Sequence, residues 1–379
     1  MIVQRIAVGL EEKISLKKVC DRLYRNLLSN SVLYERLMDA HILMQASLIR
    51  EDSAIMVDLS NINKTGASMM EGLDNVWDGS ESKPNMGYFT LQASVCHYTE
   101  PKRVQLLYSD LFSIEQESTS ENEKILDLVH RVIVASGQRG IFVMDRGMDR
   151  CQILKDLVEN DTSFIIRGDK RHLLCKGKSK SYSDIAKATK LDYVVKSKGR
   201  TFKAGVVPVQ LVLPNDEATK NQRKKKADLY LVVALEPGRS FVYYLCRFRN
   251  TLSDNQMVNM VVRYYGLRWS IEEVHRQIKQ DFNWESIQLL KYLSLKNMNA
   301  LLWIAASFLY NEVSKSIPIL IKKHYSRMIY RKSESDKDIN MMYRLTALVS
   351  EVMSYINIHR ILKHVTNKRK PRCDNSGQM

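Results

Sequence analysis

The sequence predicts an α/β fold, and three observations point to it. Two short runs rich in β-branched and aromatic residues close on or near an aspartate, "SAIMVDLSN" (53–61) and "GIFVMD" (140–145). Around them, further strand-like runs alternate with segments whose apolar residues recur at helical spacing. The composition, 45% hydrophobic and 26% charged over 379 residues, is that of a globular chain with room for two or three domains, or for one core with a large insertion.

Residues 1–52 read as a helical N-terminal module, with "SLKKVCDRLYRNLLS" and "VLYERLMDAHILMQASLI" placing apolar residues at helix period, and they are a possible DNA-end-binding unit. The first strand then meets Asp58 as it ends. Two more strands follow, "YFTLQASVCHY" (88–98) and "KRVQLLYSDLF" (102–112), joined by a turn containing proline. The stretch "LDNVWDGSESKPNMG" reads as a polar loop, so Asp74 and Asp78, rivals to Asp58, have no strand to position them. Ser120 and Glu123 form a capping box ahead of the helix "ENEKILDLVHRVIVAS". The strand ending at Asp145 is followed by the helix "RCQILKDLVEN", for which Asp149 reads as the N-cap in preference to a ligand, and by the strand "SFIIRGD".

Three strands, helix, strand, helix, strand is the order of a ribonuclease-H-like core, here residues 53–168 and 250–315. In that core the first three strands are antiparallel and the fourth lies beside the first, which sets two strand-end aspartates together. Residues 169–249 interrupt it as a basic, β-rich insertion. From Arg167 to Lys226 there are 17 Lys and Arg against 5 Asp and Glu, a net +12 of the chain's +16. Cations interleaved with strand-like stretches such as "LDYVVKS" and "GVVPVQLVL" suit a phosphate backbone. Residues 316–379 read as a helical region with a basic tail, a possible dimerisation unit.

A long helix from about Asp254 to Asp281 contains "YYGLRWSIEEVHRQIK" (264–279). At about 100° per residue, Tyr265, Arg268, Glu272 and Lys279 share an arc of roughly 60°, and the apolar stripe Leu267, Ile271, Val274 and Ile278 lies about 120° away. Glu272 stands four residues after Arg268 and four before Arg276, so by itself it reads as half of an ordinary surface ion pair. Two strand-end acids within reach of this helix change that reading. Three carboxylates from distant positions are what two-metal phosphoryl transfer needs, because magnesium takes oxygen ligands. Asp58 would bridge both ions, and Asp145 and Glu272 would complete one coordination sphere each. His275 reads as packing or a phosphate contact, not as a base.

Other classes are disfavoured. Neither G-x-G-x-x-G nor the phosphate loop G-x-x-x-x-G-K-[ST] occurs. The six cysteines show no metal-ligand spacing and read as buried, reduced thiols. The longest apolar run, "ALLWIAASFLY" (300–310), falls short of a membrane span, and Glu11 and Glu12 break the start of a signal-like segment. The expected location is therefore cytoplasmic, nucleoid-associated when DNA is bound. A pI near 9.4 favours nucleic acid as the partner.

The spacing of Tyr265, Arg268, Glu272 and Lys279 resembles the signature of DDE transposases of bacterial insertion sequences, in the branch grouped around insertion sequence 4. "LRWSIEEVHRQIK" is similar to their glutamate helix and "VMDRGMDR" (143–150) to their second-aspartate motif, and "VDLSNINKTG" is similar to the first-aspartate strand. The resemblance spans about residues 53–312. It implies Asp58, Asp145 and Glu272 as the catalytic, metal-binding triad for Mg2+, with Mn2+ as a substitute, and Tyr265, Arg268 and Lys279 as DNA contacts. Arg167 and Arg146 are further DNA-contacting residues on the same basis. Tyr244, or its neighbour Tyr243, stands on the insertion's last strand where relatives that form hairpins stack an aromatic on a flipped base. The implied activity is cut-and-paste transposition: cleavage at inverted-repeat ends and strand transfer into target DNA, within a homodimeric synaptic complex. The alternatives are a catalytically inactive DNA-binding derivative and a ribonuclease-H-like nuclease without strand transfer.

Overall fold

A computed structural model describes residues 2–10, 12–78, 82–168, 170–215 and 224–315. In chain order the elements are α1 (Ile2–Leu10), α2 (Leu16–Ser29), α3 (Leu33–Ala46), β1 (Ser53–Asn63), β2 (Asp74–Asp78), β3 (Lys83–His97), β4 (Glu100–Phe112), α4 (Ile114–Glu117), α5 (Glu121–Ser136) and β5 (Ile141–Met144). There follow α6 (Cys151–Glu159), β6 (Phe164–Arg167), β7 (His172–Cys175), β8 (Lys178–Ser181), α7 (Tyr182–Ala188), β9 (Tyr193–Ser197), β10 (Arg200–Val212), β11 (Lys226–Leu235) and β12 (Phe241–Arg247). The helices α8 (Asp254–Leu267), α9 (Trp269–Asp281) and α10 (Tyr292–Lys315) complete the set. The helix expected over 340–362, the tail and Cys373 lie outside the described residues.

The chain divides into two units. One comprises Met1–Tyr24 with Asn311–Met379, and within it Ala7 of α1 is buried with Val19 and Cys20 of α2. The other, Arg25–Tyr310, carries one mixed sheet. Its first part has the order β4-β3-β1-β5-β6. β1, β3 and β4 are antiparallel, and β5 and β6 run parallel to β1. That is the arrangement expected for a ribonuclease-H-like core. The sheet then continues through β12, β11 and β10 to β7 and β8.

Hydrophobic alternation fixes which face is covered. Ala54 and Met56, Ile141 and Val143, Ile165, and Tyr244 and Cys246 lie two residues apart on their strands, so they share one face. Val258, Val261 and Val262 of α8 seal it. Burying such side chains contributes about 1.5–3 kcal/mol each, which locks α8 along the strands. Glycine permits a close approach here: a Cβ on Gly266 would lie 2.6 Å from Ser197 Oγ. α5 opens with the expected capping box of Ser120 and Glu123.

Four expectations need correction. β1 does not end near Asp58 but runs on to Asn63. The polar loop at 73–87 contains β2, paired with the start of β3. Asp74 there is structural, its carboxylate accepting from the backbone N–H of Ile114 (2.6 Å) and Glu115 (3.4 Å). The single helix expected from 254 to 281 is divided at Arg268, where tightened bonds (Arg268 N to Tyr265 O, Ile271 N to Arg268 O) separate α8 from α9. Finally, Cys151 is exposed, while Cys20, Cys96, Cys175 and Cys246 are buried as expected. No helix among the described residues is long and apolar enough to cross a membrane.

Candidate active site

The site begins where β5 stops. The parallel register of β1 and β5 pairs Ala54 with Ile141 and runs to Val57 with Met144. One step further, Asp58 stands next to Asp145, just past the last paired residues. Both continue the face that α8 covers, since Asp58 follows Met56 by two residues and Asp145 follows Val143 by two. The chain leaves β5 through a short 3₁₀ turn at Arg146–Met148, capped by Asp145, whose Oδ1 accepts from Gly147 N at 2.9 Å. β1 itself continues, so Asp58 is held on one side by its pairing with Gln92 of β3 and opens to the site on the other.

α9 supplies the third acid. Its residues Ile271, Val274 and Ile278 are buried, as the stripe predicts, which turns Glu272 towards the strand end. Arg268 joins two of the acids: its Nη1 is 3.6 Å from Asp58 Oδ1, and its Nη2 is bonded to Glu272 Oε1. Burial pushes the Asp58 carboxyl up to about 7; Arg268 opposes the rise, and Asp145 and Glu272 add to it. Asp58 therefore feels the charge of both other carboxylates. Arg276 pairs with Glu273.

His275 lies 3.7 Å from Asp58 through Nδ1. Burial, with the charges of Lys279 and Arg268, depresses its imidazole to about 3, so this is the contact of a neutral ring and not an ion pair. It packs the floor of the site, and a neutral buried ring is not a proton acceptor of useful strength.

A cavity of about 760 Å³ opens beside Glu272 and Arg268. Arg167, Tyr244 and Tyr265 also line it. Arg167 and Tyr244 are register partners on β6 and β12, and Tyr244 packs against Tyr265 with ring centroids 4.8 Å apart. Tyr244 is only 4% exposed and belongs to the core beneath α8, so it shapes the cavity wall and offers no free ring face. Tyr243 stacks on Tyr182. Lys279 and Arg146 are not among the residues lining the cavity. Lys279 is paired with Glu285 at 3.5 Å, and Arg146 is exposed on the turn after Asp145.

Sequence reasoning missed several lining residues. Lys198, Arg200 and Arg239 come from the basic segment and bring their charge to this cavity. The net charge of that segment was the signal, but the fold was needed to choose among its cations. Trp269, 60% exposed on the same wall, sits inside the "LRWSIEE" stretch directly after Arg268.

Two networks hold the acids in place. Asp149 is not the cap of α6, which starts after Arg150 with no side-chain cap. Its carboxylate accepts from Arg171 Nε (2.7 Å) and Tyr182 Oη–H (3.0 Å), and its side chain is 1% exposed. Arg150 donates to Gly147 O, Asn122 Oδ1 and Glu121 Oε2, tying the turn after Asp145 to α5. Just past the C-terminal end of β1, Lys64 Nζ donates to the carbonyls of Trp284 (3.3 Å), Glu285 (2.7 Å) and Ile287 (2.8 Å), clamping the turn that follows α9.

Lys64 gives a pH-dependent prediction. Burial lowers its ammonium from 10.5 to about 8, with Glu285 opposing. The unfolded chain therefore binds more protons between those values, and stability rises with pH across that window. In urea unfolding, the stability of the parent relative to Lys64→Met rises by on the order of 2–3 kcal/mol between about pH 8 and 10.5. A flat difference contradicts the buried ammonium.

The donor set of Asp58, Asp145 and Glu272 fits a hard divalent cation, which prefers carboxylate oxygens. Among the described residues, however, no group of three or more His, Cys, Asp or Glu is disposed to hold an ion. Arg268 stands between Asp58 and Glu272 as their shared counter-ion.

Comparison with known proteins gives the following. A family model described as "Transposase DDE domain" matches residues 102–309, a span that contains Asp145 and Glu272 and begins after Asp58. No curated protein matches the chain. Among solved structures, the NurA nuclease from Sulfolobus solfataricus is similar at a TM-score of 0.31 and 11% identity, over 79% of this chain and 99% of that one.

Proposed function

Since the chain belongs to the transposase DDE domain family, we propose that it is a metal-dependent transposase of the insertion sequence 4 type. In this reading it cleaves double-stranded DNA at the inverted-repeat ends of its element and joins them to target DNA, acting as a homodimer that pairs two ends. The observation that carries the reading is the meeting of Asp58 and Asp145 at one sheet edge, with Glu272 delivered against them by α9. The units proposed for these tasks are residues 1–52 for end binding, the core at 53–168 and 250–315 for chemistry, 169–249 for backbone contacts and 316–379 for dimerisation.

Asp58, Asp145 and Glu272 would hold a divalent cation, Mg2+ or Mn2+, which would supply activation of the attacking water or 3′ hydroxyl and offset charge on the phosphate. The chain does the rest. Arg167 and Arg268 are the guanidinium groups proposed to meet phosphate oxygens, which a guanidinium can bind through two parallel hydrogen bonds. Tyr244 and Tyr265 form an apolar wall that keeps bulk water from one side of the cavity. Lys279 and Arg146, which lie off the cavity, are proposed to meet phosphates further along the duplex.

Two experiments test this reading. The purified chain, given a labelled duplex ending in the repeat that flanks its coding sequence and a plasmid target, is expected to cut at the repeat and join the plasmid in Mg2+ but not with chelator. Cutting without joining would indicate a nuclease, and binding without cutting a DNA-binding derivative. The second experiment reads the cavity's charge. Arg200 and Arg239 are more than half exposed and share Glu236 at its rim. Replacing both with Gln is expected to weaken binding about equally for all sequences and to lower the slope of log affinity against log salt by about two. An unchanged slope removes the cavity from the DNA path.

A further inference from the structure

Arg268 is held in an unsettled way. Its guanidinium is shared by Asp58 and Glu272 on one edge, and the Tyr265 ring lies 5.5 Å from its centre. Its Nε is buried and has no hydrogen-bond partner. A buried donor left unmade costs free energy, so this placement does not use the whole fork. On its open side the cavity wall carries four more cations, Arg167, Lys198, Arg200 and Arg239. These make it a place that draws in polyanions. A phosphate there offers Arg268 two oxygens in the geometry its fork prefers.

The same two carboxylates belong to the proposed metal site. A guanidinium on Asp58 Oδ1 and Glu272 Oε1 and a divalent cation at the same two carboxylates disfavour each other, because both draw on the same negative charge and like charges repel. Resting on the reading of these acids as metal ligands, we propose that Arg268 competes with the metal for Asp58 and Glu272. It holds the two acids together and offsets part of their charge until a nucleic-acid phosphate draws it aside. DNA and metal then strengthen each other's binding, by the same factor in each direction. The arrangement makes a cation at the acids most favourable when substrate is present.

The test measures binding, not turnover. Free Mn2+ is followed by electron paramagnetic resonance with the full chain and no DNA, for the parent, Arg268→Gln, Arg268→Lys and Arg268→Gln combined with Asp58→Asn. Arg268→Gln is expected to bind Mn2+ about tenfold more tightly than the parent, and Arg268→Lys, which keeps a cation, to stay near it. Adding Asp58→Asn is expected to abolish the gain. In parallel, fluorescence anisotropy with a short mixed-sequence duplex at constant ionic strength is expected to show Mn2+ tightening binding by about tenfold in the parent and little in Arg268→Gln. If Arg268→Gln binds Mn2+ no more tightly than the parent while Asp58→Asn still weakens it, the competition is overturned and the metal site stands. If Asp58→Asn makes no difference in any background, the metal site itself fails and the competition with it.

Discussion

Asp58→Asn and Glu272→Gln are each expected to lower the rate of DNA end cleavage by roughly three orders of magnitude or more. Both substitutions keep shape and hydrogen-bonding capacity and remove the negative charge that a divalent cation needs. Glu272→Gln still reaches Arg268 across one helical turn, so α9 keeps its place. Duplex binding measured without divalent cation is expected to stay within about threefold of the parent, because the cations lining the cavity are untouched. The measurement is single-turnover cleavage of a labelled end beside anisotropy of the same duplex. Cleavage near the parental rate in either variant removes that acid from the site. A parallel loss of binding and cleavage would instead assign it to the fold.

The second large effect lies at the buried pair of Asp149 and Arg171. Arg171→Met takes the cation from a carboxylate that is 1% exposed, that of Asp149. Breaking a buried pair from one side costs about 3–5 kcal/mol, since the remaining charge is still buried. Asp149 is four residues from Asp145 on the same turn, so cleavage is expected to fall along with stability. Adding Asp149→Asn to Arg171→Met is expected to return part of the stability, because the orphaned charge is gone. Urea unfolding of the two single variants and the double variant checks this. A cost below about 1 kcal/mol for Arg171→Met would mean the pair behaves as a surface ion pair.

Asp149 also marks a limit of sequence reading. Local spacing made it a helix cap, but its partners Arg171 and Tyr182 lie 22 and 33 residues further on. Only the fold selects them. The strand order was legible because short apolar runs and capped helices alternate cleanly between residues 53 and 168. Where β1 opens was not legible, because Asp58 is exposed to the site by the shortness of β5 and not by anything in β1 itself. β2 was hidden because "DNVWD" has two apolar residues and owes its conformation to β3.

The polar face of α9 was legible in angle but not in depth. Lys279 shares the arc of Arg268, yet eleven residues at 1.5 Å each carry it about 16 Å along the axis. That is why it pairs with Glu285 away from the cavity. The interruption at Arg268 could not be read either, since the apolar period runs through it unbroken. The basic segment was legible as charge. That its strands extend the core sheet through the pairing of β12 with β6 is a tertiary fact.

The central claim is that Asp58, Asp145 and Glu272 form one cation site at the edge of the sheet. The most direct measurement is a crystal structure of the full chain with a DNA end and Mn2+, with anomalous scattering used to place the metal. An anomalous peak is expected within coordination distance of all three carboxylates, with Arg268 turned to a phosphate. A peak elsewhere, or none at saturating Mn2+ with Arg268 still between Asp58 and Glu272, would contradict it.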